Sequence, residues 1–242
     1  MKKLFLLFLS VVVSFVSAAS DRGVVCFTFD DYHGANWLKA DEIFKKYNAH
    51  VTFFVVKDIT PEKIEVMKKL QAAGHSVGLH TMRHRDAVRF IEQHGEKWYF
   101  ENEIRPQLDA CLKGGLRIRS FAYPNNRRNE RTDKFLFQYF DFLRAGNGPA
   151  KKPIYYNLND IKAPMMLGGG GIGVFYKSDV NELKSRLDKA AAGNNLIVFF
   201  SHNIAPGAKG VHMPSEMLEA LLSHADKLGM RIVGFDELKN LK

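Results

Sequence analysis

The chain has 242 residues, and Lys plus Arg outnumber Asp plus Glu by 35 to 26, a formal charge of +9. That length fits one α/β domain with ample core and argues against a second. No run of like charges occurs, and the one basic cluster, "NNRRNER" around Arg127, lacks the interleaved aromatics of a nucleic-acid surface. The excess of cations therefore describes a soluble surface with scattered Lys and Arg, or a mild preference for an anionic envelope polymer.

The first residues join Lys2 and Lys3, an apolar run from Leu4 to Val16, and small Ser17, Ala18 and Ala19. This is the pattern of a secretory signal at residues 1–19, followed by a single domain over 20–242 and export to the periplasm or outside the cell. An uncleaved anchor is the alternative, but the run is shorter than the ~20 residues that span a bilayer, and no later segment is longer. Without Lys2 and Lys3 the charge falls to +7, and no Cys near the cleavage region offers a lipid attachment point.

Short β-rich runs then alternate with amphipathic stretches. Val24 to Phe29 is the first strand, "NWLKADEIFKKY" a helix, and Val51 to Val56 a second strand. Pro61 is placed to start the helix "PEKIEVMKKLQAA" and Gly74 to end it. "HSVGL" is a third strand, and a longer helix covers much of "EKWYFENEIRPQLDACL", kinked or restarted at Pro106. "IRSFAY", "NERTDKFLFQYF" and "FLRA" read as strand, helix, strand. From Gly146 to Tyr176 periodicity fails, apart from a strand near Met165. A helix capped by Ser178 or Asp179, the buried strand Leu196 to Phe200, the helix "PSEMLEALLSHADKLG" and the strand "RIVGF" complete the chain. Seven or eight strands, each followed by a helix, predict a closed or nearly closed parallel (β/α) barrel. The two cysteines, Cys26 and Cys111, are either one bridge or two buried free thiols.

In such architectures functional groups collect where strands end. Asp30 and Asp31 follow the first strand, His80 and His84 the third, Asn125 and Asn126 follow "SFAYP", and His202 follows "LIVFFS". "HTMRH" sets His80 and His84 four residues apart, which on a helical turn directs both rings to one side. Among nine histidines that spacing alone is ordinarily two partly exposed side chains. With Asp31 it becomes a three-ligand set that leaves room for water, and a cation there would relieve the repulsion between the neighbouring carboxylates. By itself "DD" reads as a turn or helix cap.

"TFDD", "GHSVGLHTMRH", "SFAYP" and "IVFFSH", in that order over residues 28 to 202, resemble the motifs of the polysaccharide deacetylases, the NodB-homology carbohydrate esterases. "VTFFVV" is similar to their second-strand segment. The resemblance implies a distorted (β/α) barrel and a metal-dependent hydrolase that removes acetyl groups from an N-acetylhexosamine-containing glycan. It implies Asp30 as general base, His202 as general acid, Asp31, His80 and His84 as ligands of a divalent metal, usually zinc, and the backbone N–H of Asn125 as oxyanion donor.

Three features depart from that pattern. Tyr32 and His33 stand where many members have Gly, which makes the rim beside the base bulkier, and His33 reads either as an extra ligand or substrate contact or, more simply, as a surface loop residue. Ala122 occupies the position of an Arg that contacts the base, as in the "FAYP" branch, leaving Arg119 or Arg144 as substitutes. The motif that supplies an Asp and a Trp around the catalytic acid has no match, and Asp160 is the stand-in for the Asp that orients His202. "GGGGIG" at Gly168 to Gly173 has nucleotide-loop spacing without the strand-turn-helix context, so a flexible loop bordering a cleft is expected. Tyr155, Tyr156, Phe175 and Tyr176 flank it, as sugar-stacking faces or as packing under a loop. Two further functions fit the residues: an O-acetyl esterase on a glycan such as xylan, and a catalytically silent glycan-binding barrel.

Overall fold

The computed structural model describes residues 22–147 and 152–241. The expected signal at 1–19 lies outside them, as does part of the stretch read as irregular. Seven parallel strands close a barrel: β1 (Val24–Phe29), β2 (Thr52–Val55), β3 (Ser76–Leu79), β4 (Ser120–Ala122), β5 (Phe142–Gly146) and, after the two-residue β6 (Tyr156–Asn157), β7 (Met165–Gly171) and β8 (Asn195–Ser201). Closure comes from β8 pairing with all six residues of β1, Val24 with Leu196 through Phe29 with Ser201.

Alternation along each strand sorts residues between two apolar layers. Val24 and Cys26 of β1, Phe54, Ala122, Phe142, Leu167, Leu196 and Val198 fill the barrel. Val25, Phe27, Phe53, Val55, Leu143, Ile197 and Phe199 face outward beneath the helices. Fully burying each such side chain favours folding by about 1.5–3 kcal/mol. The helices answer with apolar stripes: α1 (Gly34–Lys46) buries Trp37, Ala40 and Phe44, and α2 (Pro61–Ala72) buries Ile64, Met67 and Leu70. Thr60 caps α2 by accepting from the Lys63 amide, with Pro61 in the first turn.

After β3 come α3 (Ala87–His94), which the sequence reading missed, and α4 (Glu96–Tyr99). A π-turn, Phe100–Ile104, joins α4 to α5 (Arg105–Lys113), so Pro106 lies in a first turn and causes no break. α6 (Glu130–Leu136) carries an Asn129–Thr132 capping box. α7 (Val180–Ala192) is capped by Asp179, resolving the choice with Ser178. β9 (Ile204–Ala205) and β10 (Met213–Pro214) pair beside the barrel before α8 (Ser215–Lys227).

Several expectations change. The last strand, β11 (Arg231–Ile232), is not a barrel stave; it pairs only with Val24 and Val25 at the start of β1. The segment after it turns Phe235 into the barrel's lower end, 5.8 Å from the Phe54 ring and 6.2 Å from that of Phe142. β5 is followed by no described α-helix before β7, only by β6 and a 3-10 turn at Leu158–Asp160. Gly168 to Gly171 lie in β7 instead of a flexible loop, paired with β5 and β8, and at Gly168 and Gly171 the neighbours leave no room for a side chain. A Cβ on Gly171 would stand 2.5 Å from the Tyr176 ring, and one on Gly168 2.6 Å from Ile154. Tyr156 packs here as well, its hydroxyl accepting from the Gly168 amide at 2.6 Å. Cys26 and Cys111 are buried free thiols. No described helix is long and apolar enough to cross a membrane.

Candidate active site

The neighbouring aspartates diverge at the C-terminal end of β1. The Asp30 amide donates to the Ser201 carbonyl at 2.9 Å, extending the β1–β8 ladder by one residue and turning the side chain into the barrel. Asp31 and Tyr32 then take φ values of 77° and 71°, the left-handed region that non-glycine residues rarely enter. This pair of unusual dihedrals lifts Asp31 onto the rim. Strain of that kind concentrates at functional sites.

Asp30 is 3 % exposed and forms a buried ion pair with Arg144 of β5, itself 1 % exposed. Arg144 also donates to Asn126 Oδ1 at 3.0 Å and lies over the Phe54 and Phe200 rings, 5.4 and 4.7 Å from their centroids. Burial pushes the Asp30 carboxyl up, but the Arg144 guanidinium, with His80 and His202 nearby, holds it below the usual range. Arg144 is thus the cation missing from the Ala122 position. Arg119 instead pairs with Asp141 at the exposed surface. The second Asp30 oxygen, Oδ1, is buried with no hydrogen-bond partner among the described residues.

Asp31, His80 and His84 bring ligand atoms within 4.8 Å of one another. Asp31 Oδ1 is 3.6 Å from His80 Nε2 and 3.8 Å from His84 Nε2, and the two Nε2 atoms are 3.1 Å apart. A tetrahedral ion with bonds of about 2.0–2.1 Å sets its donors roughly 3.3 Å apart, so this triad fits one. His80 Nδ1 donates to the Ala122 carbonyl at 2.8 Å, which leaves Nε2 its lone pair. Burial, above all, pushes His80 down to about 4, so the ring is neutral when a cation would need it.

The histidines are not on a helical turn, contrary to the sequence expectation. They sit in an irregular β3–α3 loop, with φ of 68° at Thr81 and 56° at His84. Two polar residues buried beneath the loop determine its shape. Glu103, on the π-turn, accepts from the Arg83 amide at 2.8 Å, and its own carbonyl accepts from Met82 at 3.0 Å. Gln107 donates to the carbonyls of Lys57 and Thr81 at 2.7 and 3.0 Å. Neither residue was singled out in the sequence. A signal existed: Tyr99, Glu103, Gln107 and Cys111 recur every four residues and are all fully buried, so a polar pair lies on an apolar stripe.

His202 follows β8 and faces the same cluster, Nε2 lying 3.7 Å from Asp31 Oδ2. Its Nδ1 donates to the Val211 carbonyl at 3.0 Å, and Trp37 Nε1 donates to the His202 carbonyl at 3.1 Å. Asn36 and Met213 fasten the next residue, Asn203, at 2.8 Å each. Asp160 plays no part. β6, just before it, pairs with Leu196 and Asn195 at the start of β8, the end of the strand away from His202. His33 is half-buried instead of a surface loop residue, with its ring 5.3 Å from that of His212. Burial and His212 push His33 down to about 4. Asn125 has φ 56° and lines, with His84, a groove of about 330 Å³. The amides of Asn126 and Arg127 close that turn on Tyr123 and Pro124; the Asn125 amide makes neither bond.

A parallel barrel whose strand ends gather a paired carboxylate, an acid–imidazole triad and a further imidazole is the architecture of a hydrolase-type (β/α) barrel. Residues 17–139 match the polysaccharide deacetylase family, and the chain belongs to it. A peptidoglycan-N-acetylglucosamine deacetylase of Bacillus cereus is 34% identical over 85 residues, which cover 35% of this chain and 29% of that protein. Among solved structures, the peptidoglycan deacetylase PdaC of Bacillus subtilis superposes with a TM-score of 0.61 over 92% of both chains at 16% identity. The chitin deacetylase of Colletotrichum lindemuthianum gives 0.63 over 90% of this chain and 88% of its own, also at 16% identity. These likenesses establish the fold as that of the deacetylase barrel.

Proposed function

We propose that the protein is an exported, metal-dependent hydrolase that removes N-acetyl groups from an N-acetylhexosamine-containing polysaccharide or oligosaccharide. The observation that carries this reading is the separation of roles between the adjacent aspartates: Asp31 joins His80 and His84 on the rim, while Asp30 is held as an ion behind them by Arg144. Names of relatives agree, one deacetylating peptidoglycan and another chitin.

Asp31, His80 and His84 are the residues that would hold a divalent ion, zinc being well suited to this donor set; when bound it supplies Lewis acidity toward an amide carbonyl and water. Asp30 offers the unpartnered Oδ1 as proton acceptor for attacking water, and Arg144 keeps it ionised. The Asn125 amide is the donor for the developing oxyanion. As an imidazolium with Nδ1–H on the Val211 carbonyl, His202 gives its Nε2 proton to the departing amine, and the proton that Asp30 takes from water is released afterwards as the imidazolium is restored from solvent. Acetate release from N-acetylglucosamine oligomers, with and without chelator, tests the proposal; release that persists in chelator, or none from any acetylated glycan, refutes it.

One observation favours a second reading, O-acetyl ester cleavage. The partner of His202 Nδ1 is a neutral carbonyl, which stabilises an imidazolium less than a carboxylate does. An ester needs less leaving-group protonation, so His202→Ala retaining ester turnover while losing amide turnover would support it; equal collapse would exclude it. Turnover of any acetylated glycan excludes a silent binding protein.

A further inference from the structure

We propose that the groove beside His84 is a subsite for a carboxylate-bearing sugar, so that the substrate is an anionic acetylated glycan and not a neutral one. This deepens the functional reading above and rests on it for the position of the acetylated residue.

The groove, about 330 Å³, runs from His84 and Asn125 along α3 and is walled by Arg85, Arg89, Phe90 and Arg127. Its acids are already engaged. Asp86 caps α3 with one oxygen, accepting from the Arg89 amide at 3.1 Å, and meets Arg127 with the other at 3.4 Å. Glu103 is fully buried behind the loop and faces both Arg83 and Arg85, at 3.2 and 3.6 Å. Arg89 is exposed and has no carboxylate partner among the described residues. Three guanidiniums, Arg85, Arg89 and Arg127, thus line the groove with one carboxylate, Asp86, and Arg89 is the one without a carboxylate partner among the described residues.

One ring, Phe90, lines the groove, and Trp98 stacks on it from outside the lining. The Phe90 and Trp98 rings lie within 14° of parallel at 6.1 Å, and the Arg85 guanidinium sits 4.6 Å from the Phe90 centroid and 5.5 Å from that of Trp98. Stacking of this kind pre-orients a guanidinium, and in Arg85 the Nε side already faces Glu103. Aromatic faces accept the apolar faces of pyranose rings, and guanidinium edges bind carboxylates through paired charge-assisted bonds. A neutral chain would gain from the ring and from ordinary hydrogen bonds to the guanidiniums, but not from the paired charge-assisted bonds that a carboxylate makes. Arg127 also borders a second cavity, about 580 Å³, lined by Asn126 and Tyr156 among others. A sugar bound with its acetyl group at the Asp31–His80–His84 cluster therefore has its neighbour against the arginines.

The test compares acetate release by the metal-loaded protein from neutral N-acetylglucosamine oligomers and from two anionic series, N-acetylglucosamine alternating with glucuronate or with a lactyl-ether sugar. Expected is a kcat/KM about tenfold higher on an anionic series. That preference falls toward one in Arg89→Glu/Arg127→Glu and in about 0.5 M salt, where screening is strong. Which anionic series gains tells a ring carboxylate from a lactyl one. Equal rates on all three, or a preference that survives in the double variant, overturns the proposal. If no series releases acetate, the deacetylase reading fails by itself, and calorimetry with the anionic oligomers still decides the groove. Binding weakened about tenfold in the double variant supports the subsite; binding unaffected by it, absent altogether, or matched by an oligonucleotide of equal charge refutes it.

Discussion

Arg144→Met isolates the contribution of the buried pair behind the rim. Both partners are almost wholly inaccessible, and burial is the largest influence on Asp30, acting to raise its pKa against the pull of Arg144. Removing the guanidinium leaves desolvation opposed only by His80 and His202, so the carboxyl must either stay charged in a dry site or take a proton. Breaking such a pair costs about 3–5 kcal/mol. The pH dependence identifies the cause. In the parent protein the Asp30 carboxyl is depressed, so its contribution is present above the unfolded value of 3.8 and is lost as pH falls through the lower folded value. In the variant the folded value lies above the unfolded one, and the penalty grows as pH rises through that interval. Urea titrations of metal-free parent and variant at several pH values should show a deficit near 3 kcal/mol at neutral pH that shrinks in acid. Adding Asp30→Asn to Arg144→Met should recover most of the loss, since no buried charge then remains unpaired. A deficit below about 1 kcal/mol, or one of the same size at every pH, would mean that the ion pair does not hold Asp30 as described.

Asp30→Asn by itself should retain a stoichiometric divalent ion and lose acetate release; loss of the ion, read by elemental analysis, would exchange the roles assigned to the two aspartates. His80→Ala should lose the ion. His80 should contribute a loss of roughly 3 kcal/mol to the stability of the metal-free protein as pH drops from 6.5 to about 4, because only the unfolded chain protonates its ring in that window, and His33 acts in the same direction. The drop should be smaller in His80→Gln, and equal slopes for the two proteins would contradict the burial assigned to His80. Gly78→Ala puts a Cβ 2.5 Å from the Phe54 ring and 2.6 Å from Ser120 Oγ, inside the barrel. Such overpacking should lower stability by about 1–3 kcal/mol, and an unchanged urea midpoint would show that Phe54 moves aside freely.

Most of the barrel is legible in the sequence because period-two apolar runs and capped amphipathic stretches are local properties. β1, β2, β3 and β8 are nearly continuous apolar runs, and α2 opens on Thr60 and Pro61. Strand ends likewise mark Asp30, Asp31, His80, His84 and His202 as chemistry-bearing positions. Local pattern falls short where space, and not propensity, decides. The glycines of β7 look like a loop in sequence, yet they pair as a strand with β5 and β8, where Tyr176 and Ile154 occupy the volume that side chains at Gly171 and Gly168 would need. β11 has strand composition but meets only the first two residues of β1, so it does not become an eighth stave. Partners distant in sequence are the other limit. That Arg144 and not Arg119 neutralises Asp30, that Val211 and not Asp160 holds His202, and that Glu103 and Gln107 shape the histidine loop all depend on which side chains closure of β8 on β1 brings together. Residue types and their spacing therefore determine the elements and nominate the reactive groups, whereas only the closed barrel determines which charges share a low-dielectric interior, because Coulomb and desolvation energies depend on distance and burial that a linear pattern does not contain.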